Sequence, residues 1–447
     1  MKVALLVVAL SSADTAAAGT LDPSTPFWEQ LGDDQLTSLV GESFRDNGDL
    51  AAAMARVDQS RALAHQARAG LLPAVAFDLA ATEAPQSSLT FQQGASGIPL
   101  PPADGSYTTT SATLGGQWNL DVFGRQVLTW HAARHDLEAR AGDRDAAALA
   151  LAEAVTVSWL DLASVGERLA LAEDQLAATE SLLEVVTLRY ERGDATALDV
   201  LQQRQQLAAT TASIPGLRLQ QRLAQHQLAV LTGRPATTDV PSPAGLPQIP
   251  ADMAQTGLSD VPGLRTAAAT ADAARAQKNA AWRTLLPSVA ATGSVGQQGL
   301  RLDDWSTQDV WTVGGVVTVP IFNGGLLHAG VAAGRAGEIA AVRSLEQQQL
   351  AIAQRLADAR VTVEQQRALA DAVRAQSEAA TLAYETARDQ YIAGAAPFVV
   401  VVTSFEAMQQ AQMAAVSARR DVLVAQLQLH SATGGPWTLD LASRTSP

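Results

Sequence analysis

No cysteine occurs among the 447 residues, which removes disulfides, thiolate metal sites and cysteine nucleophiles at once. Aromatic residues make up only 4% of the chain, too few for the large rings that usually fill a globular core. Positive charge is also scarce: 31 lysines and arginines stand against 45 aspartates and glutamates, a net charge of −14. So acidic a surface is a poor match for nucleic acid. Long apolar runs are missing too. Val3 to Leu10 is far too short for a membrane helix, and no later stretch comes near ~18 uncharged apolar residues. With Lys2 before it and Ala16-Ala17-Ala18 after it, that run reads as an export signal cleaved before Gly19.

What is present is alanine-rich helix with heptad spacing. Leu151, Val155, Ser158, Leu162, Val165, Leu169, Ala172, Leu176, Thr179, Leu183, Val186 and Tyr190 alternate steps of four and three without a break. That is the seam of a helix packed lengthwise on other helices. Running from Arg125 to Arg192, such a helix would be roughly 100 Å long. It ends in Tyr190-Glu191-Arg192-Gly193-Asp194, and a second helix returns through Leu198, Leu201 and Leu207 to Gly233. Pro215 falls inside this return helix and is predicted to kink or interrupt it.

The construction recurs. A second seam runs from Val342 through Ile352, Val363 and Tyr384 to Tyr391, and Tyr391-Ile392-Ala393-Gly394 closes it. Tyr190 and Tyr391 are 201 residues apart, as are Gly233 and Gly434. Leu71-Leu72-Pro73-Ala74-Val75 likewise matches Leu285-Leu286-Pro287-Ser288-Val289. The chain is an internal duplication.

Ahead of each helical hairpin the period drops to two. Val75, Phe77 and Leu79 share a face, as do Leu114, Trp118 and Leu120 within Tyr107 to Leu120. The second repeat gives strands over Ser288–Val295 and Val310–Ile321, with Trp311, Val313, Val317, Val319 and Ile321 aligned. Between the strands lie a turn-rich stretch, Gly94 to Gly105, and a polar loop with Asp303 and Asp304. Four strands leave two open edges, which a bilayer does not tolerate, and they cannot close a barrel alone. Three chains would supply twelve strands and a closed wall. Phe91, Tyr107, Trp118, Phe123, Trp305, Trp311 and Phe322 are placed as an interfacial girdle would be. A soluble pair of hairpins capping a coiled coil fits the same pattern.

At the N-terminal side, Phe27 to Leu72 reads as two helices broken at Asn47-Gly48, with Asp49 as cap of the second. A proline-rich connector, Gly233 to Pro262, joins the repeats, and Gly434-Gly435-Pro436-Trp437 ends the last helix. Catalytic constellations are lacking. His131 and His135 lie four apart, but Ala132 replaces the glutamate of a metalloprotease helix and no further metal ligands are near. The expectation is no catalytic residue, no metal and no cofactor.

FWEQLGDDQLTSLV from Phe27, WNLDVFGR from Trp118, RYERGDATALDVLQ from Arg189, LTGRP from Leu231, VPIFNGG from Val319 and the closing ATGGPW occur in order over nearly the whole chain. In these the protein resembles the TolC-like outer-membrane efflux family, most closely its NodT/OprM-type branch. The resemblance implies an α+β membrane protein: long antiparallel helical hairpins forming an α-barrel, and a β-barrel shared by three chains with four strands each. It implies a homotrimer in outer-membrane lipid, extending into the periplasm and passively passing substrates from an inner-membrane transporter and a periplasmic adaptor. The exit duct of a type I protein-secretion system, or a non-transport coiled-coil scaffold, are the alternatives.

On this plan residues 1–18 are the signal, 19–72 the N-terminal periplasmic helices, 73–122 the first β-hairpin and 123–233 the first helical hairpin. Residues 234–284 form the linker and equatorial helices, 285–322 the second β-hairpin, 323–434 the second helical hairpin and 435–447 a tail. The hairpin tips, Arg192-Gly193-Asp194 and Ala393-Gly394-Ala395, would dock the adaptor. The resemblance further implies a gate. Asp199 and Tyr391 match two members of the family's closed-state lock, but Ala396 replaces its arginine. Val400 and Thr403 stand where relatives place a ring of acidic residues, so an apolar constriction is expected instead. Many members of the branch carry a lipid on a cysteine, which this chain does not have.

Overall fold

In the computed structural model the described residues are 26–85, 106–249, 261–301 and 305–433. The expected signal, the turn-rich stretch from Gly94, Asp303, Asp304 and the C-terminal tail lie outside them. Eight helices and four strands follow in the order α1 (Phe27–Gln30), α2 (Asp34–Asp46), α3 (Gly48–Ala69), β1 (Ala74–Pro85), β2 (Ser106–Leu120), α4 (Arg125–Glu191), α5 (Ala197–Leu231), α6 (Pro262–Arg283), β3 (Ser288–Arg301), β4 (Trp305–Thr318), α7 (Leu326–Ile392) and α8 (Phe398–Ala432). Within residues 234–284 the described part holds one helix, α6. The duplication is plain in the lengths: α4 and α7 have 67 residues each, α5 and α8 have 35 each, and each pair is offset by 201.

These elements form two units. The first takes residues up to Met54, Asp143–Leu264 and those from Gln349 on; the second takes Ala55–Gly142 and Arg265–Gln348.

In the first unit the short helices settle on the long ones through caps. Asp33 Oδ1 accepts from Gln35 N and Leu36 N at the start of α2, while its Oδ2 accepts from Trp159 Nε1 of α4 at 2.8 Å. Asn47, not Asp49, caps α3: its Oδ1 accepts from Asp49 N and Leu50 N, and its amide donates to Leu231 O at 3.1 Å. The break falls at Asn47-Gly48 as expected, but the cap lies two residues earlier than Asp49, because Asn47 can serve both the cap and this long-range bond. Leu36, Val40, Leu50, Val155, Trp159, Leu162 and Leu228 then close a core. The connector is held by Glu167, which accepts from Leu246 N at 2.7 Å and pairs with Arg419 at 3.2 Å.

The first heptad seam is buried or half-buried at every position except its last, Tyr190, which is 48% exposed. Pro215 does not interrupt α5. Ile214 and Leu217 beside it are buried against α4, and that packing holds the helix across the missing N–H. Contrary to the expectation that no later stretch is apolar enough to cross a membrane, α4 contains one among the described residues, but more than half of it is buried in the protein, as a packed helix requires.

In the second unit an antiparallel sheet runs β1-β2-β3-β4. β3 extends beyond the expected Val295 to Arg301, and β4 spans Trp305–Thr318 rather than reaching Ile321. The register sets Phe77, Leu114, Val295 and Trp311 in one row across all four strands, with Val75, Gly116, Gly293 and Val313 in the next. The opposite face carries Gln117 and Thr292, then Ser294 and Thr312, then Ser111, Gln298 and Gln308. Both faces are open: Trp311 is 74% and Val313 82% exposed on one, and Gln298 and Thr312 are exposed on the other. β1 and β4 are unpaired edges. Around the sheet, Asp121 caps α4 through Gln126 N and Val127 N, and Lys278 of α6 pairs with Glu338 of α7 at 2.9 Å.

Candidate functional site

The two hairpin tips belong to the first unit, and both are built on one turn. Gly193 (φ 84°) donates to Tyr190 O at 3.0 Å and Asp194 N to Arg189 O at 2.8 Å. Gly394 (φ 76°) donates to Tyr391 O at 3.0 Å and Ala395 N to Gln390 O at 2.8 Å. This is the left-handed glycine stop that satisfies the last carbonyls of a helix. Arg192, Asp194, Ala393 and Ala395 are all exposed.

After the turns the repeats diverge. At the first, Thr196 and Asp199 form a capping box: Asp199 N donates to Thr196 Oγ1 at 3.2 Å, and Thr196 N to Asp199 Oδ2 at 2.9 Å. At the second, Pro397 opens α8 with no side-chain cap.

The four helix ends share a core of Leu182, Val186, Val200, Tyr384, Tyr391, Phe398, Val401 and Phe405. Tyr391 is 4% exposed, with its ring 5.0 Å from that of Phe398. Arg189 of the first repeat lies over the Tyr391 ring at 4.8 Å and donates to the carbonyls of Tyr391 and Ile392 at 2.9 and 2.8 Å. A guanidinium at a helix C-terminus and over an aromatic face is favourable on both counts.

Asp199 and Tyr391, the two residues that match the lock, are not hydrogen-bonded to each other in this chain. Asp199 is engaged by its own helix start, and the Tyr391 hydroxyl has no hydrogen-bond partner among the described residues. The two still feel each other. Burial first, and then the Asp199 carboxylate, push the phenol above its ordinary range, while Arg189 pulls it down.

The guanidinium beside Tyr391 is that of Arg189, from the other repeat. Its signal in the sequence is a basic residue in the last turn of α4, beside Tyr190. Above the core, amides join the hairpins: Gln175 Nε2 donates to Gln412 Oε1 at 2.9 Å and Gln206 Nε2 to Gln409 Oε1 at 3.1 Å.

The valine run splits. Val401 is fully buried and Val402 half-buried, whereas Val399 and Val400 are exposed, Val400 by 42%. Thr403 is exposed beside them, its hydroxyl returned to Val399 O and Val400 O. The next exposed carboxylate along this stripe is Glu406. Elsewhere, His135 is engaged by Glu138 at 2.9 Å, and the His131 ring lies tilted against that of Trp130, 5.1 Å between centroids. Among the described residues no three His, Cys, Asp or Glu side chains could hold a metal together.

A family model described as outer membrane efflux protein matches residues 39–234 and 254–435. The chain belongs to the outer-membrane efflux protein family. Pyoverdine export outer membrane protein OpmQ of Pseudomonas aeruginosa is 29% identical over 435 residues, covering 95% of this chain and 90% of that protein. Nodulation protein T of Rhizobium leguminosarum bv. viciae is 26% identical, covering 92% and 84%.

Among solved structures, the outer-membrane channel OprN superposes with a TM-score of 0.84 at 24% identity, over 96% of this chain and 98% of that one. The Campylobacter jejuni CmeC outer membrane channel gives 0.85 at 17%, over 96% and 94%. This efflux protein therefore has the TolC-like fold of the OprM/NodT type, long helical hairpins for an α-barrel and four strands toward a β-barrel shared by three chains. It resides in the outer membrane, reaches into the periplasm and is the exit duct of a tripartite efflux system, working with a pump and an adaptor. Its relatives are channels rather than enzymes.

Proposed function

We propose that this duct passes small organic molecules, that the adaptor grips the two glycine turns, and that the passage narrows at an apolar constriction made by Val399 and Val400. The relatives support the substrate class, being named for pyoverdine, toluene and antibiotics. The polar face of the sheet supports a wet outer passage: Ser294 and Thr312 are hydrogen-bonded across it at 2.7 Å. Outer-membrane lipid would cover the row of Phe77, Leu114, Val295 and Trp311 on the other face.

The observation that carries the constriction is the division within one run of valines. Val401 does the packing, which frees Val399, Val400 and Thr403 to line a passage without carboxylates at those positions. Apolar constrictions close by dewetting, so ions cross them poorly. The test is conductance of the reconstituted protein in a planar bilayer. Val400→Asp is expected to raise cation conductance severalfold and to add a pH dependence where carboxylates titrate. An unchanged conductance, or an equally strong acid block already present in the parent, would overturn the constriction.

A further inference from the structure

We infer that a groove between α4, α5 and α8 is a binding subsite on the wall of the passage, and that it takes small organic acids, one carboxylate on a compact apolar body. The inference rests on the reading of the chain as a duct for small organic molecules and narrows their class.

The groove has a volume of about 430 Å³ and lies wholly within the first unit. That is the size of an ordinary small-molecule pocket. Ser164 and Val165 of α4, both buried, form its floor, with Ala224 of α5 beside them. Gln220 and Gln227 of α5, both exposed, stand at its rim.

The groove occupies one particular side of α4. Val155, Trp159 and Leu162 share a core with Leu36 and Val40 of α2 and with Val240 of the connector, and Leu160 and Ala163 pack with Leu246. Ser164 and Arg168 stand roughly half a turn round the helix from Trp159. The short helices and the connector therefore cover one side of the long rod, and the groove opens on the other. In a tube built of such rods the wrapped side is the outside, and the bare side is the passage.

Electrostatics select the ligand. Two arginines line the groove. Arg420 is already engaged: its Nε donates to Asp161 Oδ1 at 2.7 Å and its Nη1 to Asp421 Oδ1 at 2.8 Å. Arg168 is not. Its Nε is buried without a hydrogen-bond partner, and no carboxylate among the described residues pairs with it. A buried donor left unanswered is costly, and a ligand oxygen removes that cost. A guanidinium also presents its donors as a planar fork that a carboxylate meets with both oxygens. The net charge of −14 repels anions in general, so an unpaired cation beside the passage is where one can rest. Val165 and Ala224 then favour an apolar body. The duplication makes no second site of this kind: 201 residues beyond Arg168 stands Leu369, half exposed.

The test uses the purified trimer in lipid and two fluorescent probes, dansylglycine and its uncharged amide, dansylglycinamide. Dansylglycine is expected to bind saturably, one to a chain, with the blue-shifted emission of an apolar site. The amide is expected to bind at least about tenfold more weakly, for want of the carboxylate. Arg168→Gln is expected to weaken the acid by a similar factor and to leave the amide as it was. Arg168→Lys, which keeps the charge but not the fork, is expected to fall between. Arg222→Gln, on α5 outside the groove, is expected to match the parent.

Equal affinity for acid and amide, or an affinity for the acid indifferent to Arg168→Gln, would overturn the subsite. Ready displacement of dansylglycine by inorganic phosphate, which has the charge but no apolar body, would do the same. The duct reading fails by a separate result. Cells lacking this chain that retain no more of either probe than parent cells would overturn it, and the groove's place on a passage with it.

Discussion

The sheet and the hairpin tips carry the same kinds of side chain and dispose of them in opposite ways. Across the sheet, Val295, Trp311 and Val313 stand open on one face, in adjacent rows set by strand register. At the tips, Val401, Phe405 and Tyr391 are buried, in a stripe set by helical spacing. Periodicity identifies in each case which residues share a face. What covers the face is a different matter: other helices of the chain for the tips and, on the reading proposed above, lipid for the sheet. The apolar rows from the Leu120–Val289–Val317 level to the Phe77–Trp311 level span about 20 Å along the strands. That approaches the height of the apolar band on outer-membrane barrels. Beyond it the same face turns polar, with Gln297 donating to Asp309 Oδ1 at 3.0 Å.

The contrast breaks most sharply at adjacent valines. Val401→Asp buries an unpaired carboxylate in the tip core and is expected to cost about 3–5 kcal/mol, seen as protease cleavage at the tips. Val400→Asp, one residue away but exposed, is expected to leave the tips protease-resistant. Equal resistance in the two variants would show that Val401 is not core. On the sheet the polarity of the test reverses. Val313→Arg on the apolar face is expected to cost about 2–4 kcal/mol of insertion into lipid vesicles, measured by denaturant-dependent folding. Thr312→Arg on the opposite face is expected to cost well under half of that. Similar losses for both would remove the lipid-facing assignment.

A subtler difference lies in His430, a buried side chain of α8 packed 6.0 Å from the Phe27 ring, with neither ring nitrogen hydrogen-bonded among the described residues. Burial lowers its pKa to about 4 from 6.5, so the folded protein holds it neutral. As pH falls below about 6.5 the unfolded chain takes up a proton that the folded one refuses. Stability is full above that pH and is lost as pH falls toward 4, by up to about 3 kcal/mol. His430→Leu is expected to flatten the fall in melting temperature between pH 7 and pH 4.5. An unchanged slope would place the acid sensitivity elsewhere.

The smallest effect belongs to the turns. A side chain at Gly193 or Gly394 meets nothing within 4 Å, so Gly193→Val and Gly394→Val carry only the positive-φ penalty, about 1–2 kcal/mol each. Weaker crosslinking to the adaptor with an intact trimer is the expected readout. Undiminished crosslinking and export in both variants would dismiss the turns as its grip.

Much of this molecule was legible because its rules are local. A heptad seam, a two-residue alternation and a glycine after a helical run each depend on near neighbours in the chain. The duplication, the order of elements and the sharing of strand faces could accordingly be read from residues alone. The exceptions share a cause. Pro215 stays inside α5 because Ile214 and Leu217 pack against α4. Asn47 displaces Asp49 as cap while also reaching Leu231, 184 residues away. Tyr190 and Tyr391 close equivalent seams, yet one is exposed and the other buried.

The sequence by itself determined the repeat, the lengths of its rods and the turns that end them, since those follow from backbone conformation and side-chain period. Only the tertiary structure decided that Arg189, and no residue near Ala396, clamps Tyr391, and that Val401 turns inward while Val400 faces out. Those choices lie between side chains some 200 residues apart, or between neighbours on opposite sides of one helix, and close packing alone selects among them.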